Sequence, residues 1–170
     1  MCKFSKLVLL LLFLSFNLHA EKVKGPYPSK TGDISVYIVA SGSPKYIEDW
    51  LTNSRSEGVT INRLKEAKPN QLIVISFLVS GMSANVQGNY SYTVSMYVES
   101  PDGELLFGKR DYAKGEDKHF PEPAYVMADP ALDLYLEPSD PEGTYKVFAQ
   151  VKDLVSNKVH ENSYEIKFIK

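Results

Sequence analysis

Acid–base or nucleophilic chemistry in this chain would have to use one of very few side chains. Of its three histidines, His19 falls in the first twenty residues. His119 stands in the loop-like run Lys118-His119-Phe120-Pro121-Glu122, and His160 lies near the start of the last alternating segment. A nucleophile–histidine–acid arrangement needs one of the latter two. No Gly-x-Ser-x-Gly elbow is present, and no serine stands at a recognisable strand-to-helix turn. Both histidines read as solvated, and no catalytic residue is assigned. With 21 acidic residues, two carboxylates will be close together somewhere by chance, so proximity alone does not make a glycosidase pair.

Metal chemistry fares no better. Zinc takes three or four His, Cys or carboxylate ligands, and no pair of histidines has helical or hairpin spacing. Met82, Met96, Met127 and His119 are the residue types a copper carrier would use, but they are scattered, and Met96 falls on a core face. Asp129, Asp133, Asp140 and Glu142 offer oxygen ligands without an Asp-x-Asp-x-Asp-Gly loop. The glycine-containing stretch 81–89 joins two strands, whereas a phosphate cradle would open a helix. The expectation is no cofactor and no metal.

What remains is recognition chemistry. The chain has 11 tyrosines and a single tryptophan. Tyr97 and Tyr135 occupy polar-side positions of alternating runs. Tyr112 and Tyr125 lie in the connection 109–130, Phe120 opens an extended apolar run, and Asn85 sits in the loop 81–89. These six form the candidate binding surface, because a phenol ring is apolar while its hydroxyl hydrogen-bonds.

The elements that must position them read as strands. Period-2 alternation puts Ile34, Val36, Ile38 and Ala40 on one face of a run over 33–41, and Val59 and Ile61 begin a short run. The run 71–80 is apolar on both faces and so should be central and covered twice. Tyr90, Tyr92, Val94, Met96 and Val98 alternate inward before the turn Ser100-Pro101-Asp102-Gly103, and Leu105 and Phe107 lead back. Residues 109–118 look like an exposed mixed-charge connection. Leu132, Leu134 and Leu136, then Tyr145 to Val151 by twos, then Tyr164, Ile166 and Phe168 complete the set. Ser43 as N-cap, Pro44 at the first position and Ile47, Trp50 and Leu51 at helical spacing predict a short helix that covers the second face of 71–80. Trp50 is assigned to that packing, with Leu51 buried beside it. The expected fold is all-β, an antiparallel two-sheet immunoglobulin-like sandwich of about seven to eight strands with a short N-terminal helix packed on it.

One local pattern sharpens this. Asp140-Pro141-Glu142-Gly143-Thr144-Tyr145 precedes an alternating strand that ends at Asp153. Gly143 supplies an unusual backbone torsion and Tyr145 a hydroxyl that can close a corner. The stretch from Gly143-Thr144-Tyr145-Lys146-Val147 through Val151-Lys152-Asp153 to Tyr164-Glu165-Ile166 resembles the last two strands of cysteine-free bacterial immunoglobulin-like modules. Those include small secreted proteins of unassigned activity. The resemblance covers about residues 58–170 and implies a fold, not a function.

The N-terminus reads as an address. Lys3 and Lys6 precede a Leu-rich run of about ten residues, too short to span a bilayer, and Ala20 is small. Residues 1–20 are therefore expected to be a signal peptide, 21–32 a flexible leader, 33–57 the N-terminal strand and helix, and 58–170 the sandwich, with 33–170 one domain. Removing 1–20 takes away the only cysteine and leaves 17 basic against 21 acidic residues, so no disulfide framework is available. That balance excludes a polybasic nucleic-acid binder, and no segment of the mature chain reaches transmembrane length. The functional expectation is an exported non-catalytic binding module of the bacterial envelope, most often periplasmic and alternatively extracellular. Its partner would be another envelope or extracellular protein. The alternative is a periplasmic small-molecule or metal carrier.

Overall fold

Strands whose apolar residues alternate must pair and then bury one face. The computed structural model, which describes residues 34–53, 58–118 and 125–170, shows how they do so. The expected signal peptide and leader, and Phe120, lie outside the described residues. One sheet is built on β3 (Ile73–Ser80), which pairs antiparallel with β1 (Ser35–Ser41) on one edge and with β6 (Val126–Met127) and β7 (Leu132–Leu134) on the other. The second sheet runs β2 (Glu66–Ala67), β9 (Val159–Phe168), β8 (Gly143–Asp153), β4 (Asn89–Glu99) and β5 (Leu105–Lys118). All pairs are antiparallel except the two-residue β2–β9 pair. The protein is a two-sheet sandwich of the immunoglobulin-like kind with one short helix.

Between the sheets lies the main core. Ile73, Ile75, Phe77 and Val79 of β3 meet Tyr92, Val94, Met96 and Val98 of β4, Val147 and Val151 of β8, and Ile166 and Phe168 of β9. The other face of β3 is apolar too, and its cover is α1 (Lys45–Thr52). Pro44 already has helical torsions, and the Ser43 hydroxyl accepts the Lys45 N–H at 3.3 Å. Tyr46, Ile47 and Trp50 pack with Val39, Val74 and Leu78 into a second cluster, joined by Val59 and Ile61. The Tyr46 hydroxyl donates to Ser76 Oγ at 2.7 Å, which gives the fully buried serine of this central strand its partner. Leu51, expected under the helix, is instead 78% exposed: with Tyr46 fixed on Ser76, the stripe facing the sheet is Tyr46, Ile47 and Trp50.

Two further expectations are corrected. Residues 109–118 are not a loop but the greater part of β5, paired with β4 as far as Asn89↔Lys118. Their many charges suit an edge strand, where they discourage pairing with other chains. A bulge interrupts the ladder: Arg110, Asp111 and Tyr112 oppose Ser95 alone, Asp111 adopts φ 49°, and its N–H donates to Ser95 Oγ at 3.0 Å. Tyr97 does face away from the main core, yet it is only 5% exposed. It lies over Gly108 in the neighbouring strand, where an added Cβ would sit 2.9 Å from the Tyr97 ring.

The corner before β8 closes through two residues. Tyr145 donates to the Pro141 carbonyl at 2.9 Å, and its ring meets Phe168 edge-on at 6.1 Å. Burial, with Asp140 and Asp102 nearby, raises the Tyr145 pKa. Gly143 has φ 138°, and a Cβ there would stand 2.7 Å from Pro101 in the 100–103 turn. Glycine is therefore required both by torsion and by space.

Strand β1 is the outer strand of its sheet, and three side chains and one main-chain N–H close its edge. Val36, Ile38 and Ala40 turn their main-chain groups outward. His160 Nδ1 accepts the Val36 N–H at 3.3 Å and Asn162 donates to the Val36 carbonyl at 2.9 Å. Arg63 donates to the Ile38 carbonyl at 3.1 Å, and the Leu64 N–H to the Ala40 carbonyl at 2.8 Å.

Candidate functional site

The cover over the outer face of β3 is incomplete, and the gap is a groove of about 580 Å³. Six separate stretches of chain shape it. Strand β1 contributes Tyr37, Ile38 and Val39, and β3 contributes Leu78, which pairs with Tyr37 across the ladder. Trp50 and the segment bearing Val59, Ile61 and Arg63 form one wall. Tyr125, just before β6, closes the far side with Asn162 and Ser163 of β9. Tyr37 and Tyr125 meet edge-to-face with ring centroids 5.5 Å apart, and each remains nearly half exposed, at 47% and 48%. The adjacent Tyr37 phenol pushes the Tyr125 pKa up.

Arg63 is the one charged residue among the described residues that line the groove. Besides donating to Ile38, its guanidinium lies 4.3 Å from the centre of the Tyr164 ring, and Lys65 Nζ also lies 4.3 Å from that centre. The Tyr164 hydroxyl in turn donates to the Leu64 carbonyl at 2.9 Å, so ring, backbone and guanidinium hold one another in place. Cation–π stacking of this kind leaves the planar N–H edge of arginine available for further acceptors. Lys45 pairs with Asp49 along α1 and Lys146 with Glu165 across β8 and β9, and none of these four residues lines the groove.

The expected site residues are distributed over the molecule. Tyr125 is in the groove, and Trp50, assigned to packing, is half-buried in its wall. Tyr112 is half-buried; its hydroxyl donates to the Ala131 carbonyl at 2.9 Å and its ring meets Phe107 edge-on, which makes it a seam between β5 and the 131–136 segment. Burial, then Asp133 and Asp129, raises its pKa. Tyr135 is 56% exposed beyond β7, and Tyr97 is covered as described. Asn85 builds the turn before β4: its Oδ1 accepts the N–H groups of Gln87 and Asn89 at 2.9 and 3.0 Å. It also borders a separate hollow of about 450 Å³ with Asn89, Glu116, Asp117 and Lys118. Each of the two hollows thus takes one of the six. Among the described residues no group of three or more His, Cys, Asp or Glu side chains is placed to hold a metal ion. Among the same residues no helix is long and apolar enough to cross a membrane.

Sequence reasoning missed Tyr37, Arg63 and Asn162. Tyr37 was marked only by sharing a strand side with Val39. Arg63 and Asn162 are brought together by folding across about one hundred residues, and no local pattern signals that.

No protein-family model matches the chain, and no curated protein matches it. Among solved structures it is similar to the CARDB domain of a Pyrococcus furiosus protein, crystallised in complex with di-metal ions. That match has 14% identity and a TM-score of 0.36, and it covers 84% of this chain and 95% of that one. It is also similar to a family 123 glycoside hydrolase from Clostridium perfringens, with 8% identity and a TM-score of 0.43, over 80% of this chain and 28% of that enzyme. The likeness is one of fold alone.

Proposed function

We propose that the protein is an exported, non-catalytic interaction module of the bacterial envelope, periplasmic or extracellular, that holds another envelope or extracellular protein in the outer-face groove. The observation that carries this reading is the groove itself. Its wall presents two half-exposed tyrosines, a tryptophan and aliphatic side chains over a rigid sheet, the residue types that dominate protein contacts. Its other described lining groups are an amide, a hydroxyl and a guanidinium, which bind and orient but do not shuttle protons near neutral pH. His160 is engaged at the β1 edge through Nδ1. Export rests on the basic and Leu-rich start of the chain.

The test is a photo-cross-linking amino acid placed at Tyr125 in cells, with Tyr135 as control, followed by fractionation and mass spectrometry. The reading expects the protein outside the cytoplasm and a discrete protein adduct at position 125 that is absent at 135. Equal labelling at both positions, or a cytoplasmic protein, removes it. A small-molecule carrier is the second reading, favoured by a groove volume within the usual range for small ligands. A compound released on denaturing the purified protein would establish it.

A further inference from the structure

The charges around the groove narrow the kind of segment that fits it. The whole chain is acidic, with a formal net charge of −2. Yet the described lining of the groove holds no carboxylate and one cation, Arg63. That guanidinium is fixed at two points, by the Ile38 carbonyl at 3.1 Å and by the Tyr164 ring at 4.3 Å. Fixing it removes rotamer freedom that a surface arginine would otherwise lose on binding. Neither contact neutralises its charge, and an arginine has five N–H donors, of which one is used among the described residues. Lys65, on the same ring, adds to the positive potential at this end.

Beside this cation the lining is apolar and aromatic. A ligand that satisfies both parts carries an apolar or aromatic side chain next to a carboxylate. The β1 edge offers one more feature. The Ile38 N–H lies on the same outward side as the carbonyl that Arg63 caps, so it is placed to donate to a main-chain carbonyl of an extended segment. The His160 and Asn162 side chains on Val36 and the Leu64 main-chain N–H on Ala40 confine that contact to one residue, so the occupant lies in the groove and does not extend the sheet.

Building on the proposed interaction role, we infer that the groove takes a short extended segment of a partner protein in which an aspartate or glutamate, or a C-terminal carboxylate, adjoins an aromatic or aliphatic residue. Arg63 pairs with the carboxylate, and Tyr37, Tyr125, Trp50 and Leu78 receive the apolar side chain.

The test is selection of a random heptapeptide phage library on the folded protein, on Arg63→Gln and on Tyr125→Ser, with circular dichroism confirming that each variant folds. The expected result is enrichment of peptides with an acid next to an apolar residue on the wild type. The synthetic peptides should quench or shift the fluorescence of Trp50, the only tryptophan in the chain. Arg63→Gln should lose the acid preference and weaken binding of the selected peptide by about tenfold or more, while Tyr125→Ser weakens acidic and amide peptides alike. Peptides that bind at Trp50 with no acid preference, or whose affinity ignores Arg63→Gln, overturn this inference and leave the docking role standing. Selection of no peptide, or of peptides indifferent to Tyr125→Ser and silent at Trp50, overturns the docking role itself. If Arg63→Gln does not fold, comparison of the selected peptide with its Asp→Asn form on the wild type decides in the same way.

Discussion

The two faces of β3 both carry large apolar residues and meet different fates. On the inner face, Ile73, Ile75, Phe77 and Val79 are fully buried against a complete second sheet. On the outer face, Val74 and Leu78 are covered by one eight-residue helix and an irregular stretch, with Trp50, Val59 and Ile61 left partly exposed. Strand pairing recruits a cover of fixed size, whereas a helix and a loop cover only what their few side chains reach. A sealed face stabilises; a half-covered one is where the molecule can still gain by burying more surface.

Mutations should separate the two faces, and the largest effect belongs to the sealed one. Phe77→Ala is expected to lose about 3–5 kcal/mol in chemical denaturation; a cost under 1 kcal/mol would mean that the inner face is not the stabilising one. The sealed core also holds one charged residue among the described residues, Asp153, which is fully buried. Its carboxylate accepts N–H bonds from Ser83, Val155 and Ser156 at 2.8, 2.8 and 3.1 Å and the Ser156 hydroxyl at 2.8 Å. Burial alone would raise its pKa, but these donors from Ser83 and Ser156 outweigh it and the net shift is downward. Its stabilisation is therefore fully present above the ordinary carboxylate value of about 4 and is lost as pH falls through the lower folded value. Asp153→Asn should cost about 2–3 kcal/mol at pH 7 and flatten the stability loss below about pH 4; an unchanged acid profile would count against this role.

On the half-covered face the effects shrink. Trp50→Ala should cost about 1–2 kcal/mol, less than a fully buried aromatic because part of the side chain is already exposed. Urea midpoints at an unchanged slope would show it. Leu51→Ala, one position along the same helix, should stay within about 0.5 kcal/mol. A larger loss would restore Leu51 to the packed stripe.

How much of this was legible in the sequence follows the same division. The inner face could be read, because alternation at period 2 names the residues of Ile34 to Ala40, of β4 and of β8 that meet there. Alternation tells which side a residue takes, not whether something lies over it. Tyr97 was on the expected side and was covered all the same, through the space that Gly108 leaves. Charges at Lys109, Arg110 and Asp111 concealed a strand, since an edge strand carries the polar residues a loop would. The helix was found, but its rotation depended on a distant partner, Ser76, so Leu51 was misplaced. The groove was not legible, because Arg63, Tyr125 and Asn162 become neighbours only when both sheets have formed.

The side-chain closure of β1 has a consequence for how this molecule keeps company with its own copies. An outer strand with bare main-chain groups is a template for indefinite stacking. Here the template is masked by the side chains of His160, Asn162 and Arg63, with the Leu64 N–H on the Ala40 carbonyl, and not by another strand. The barrier to self-association at this flank is therefore lodged in single codons, and the arginine that guards the Ile38 carbonyl is the one that faces the groove.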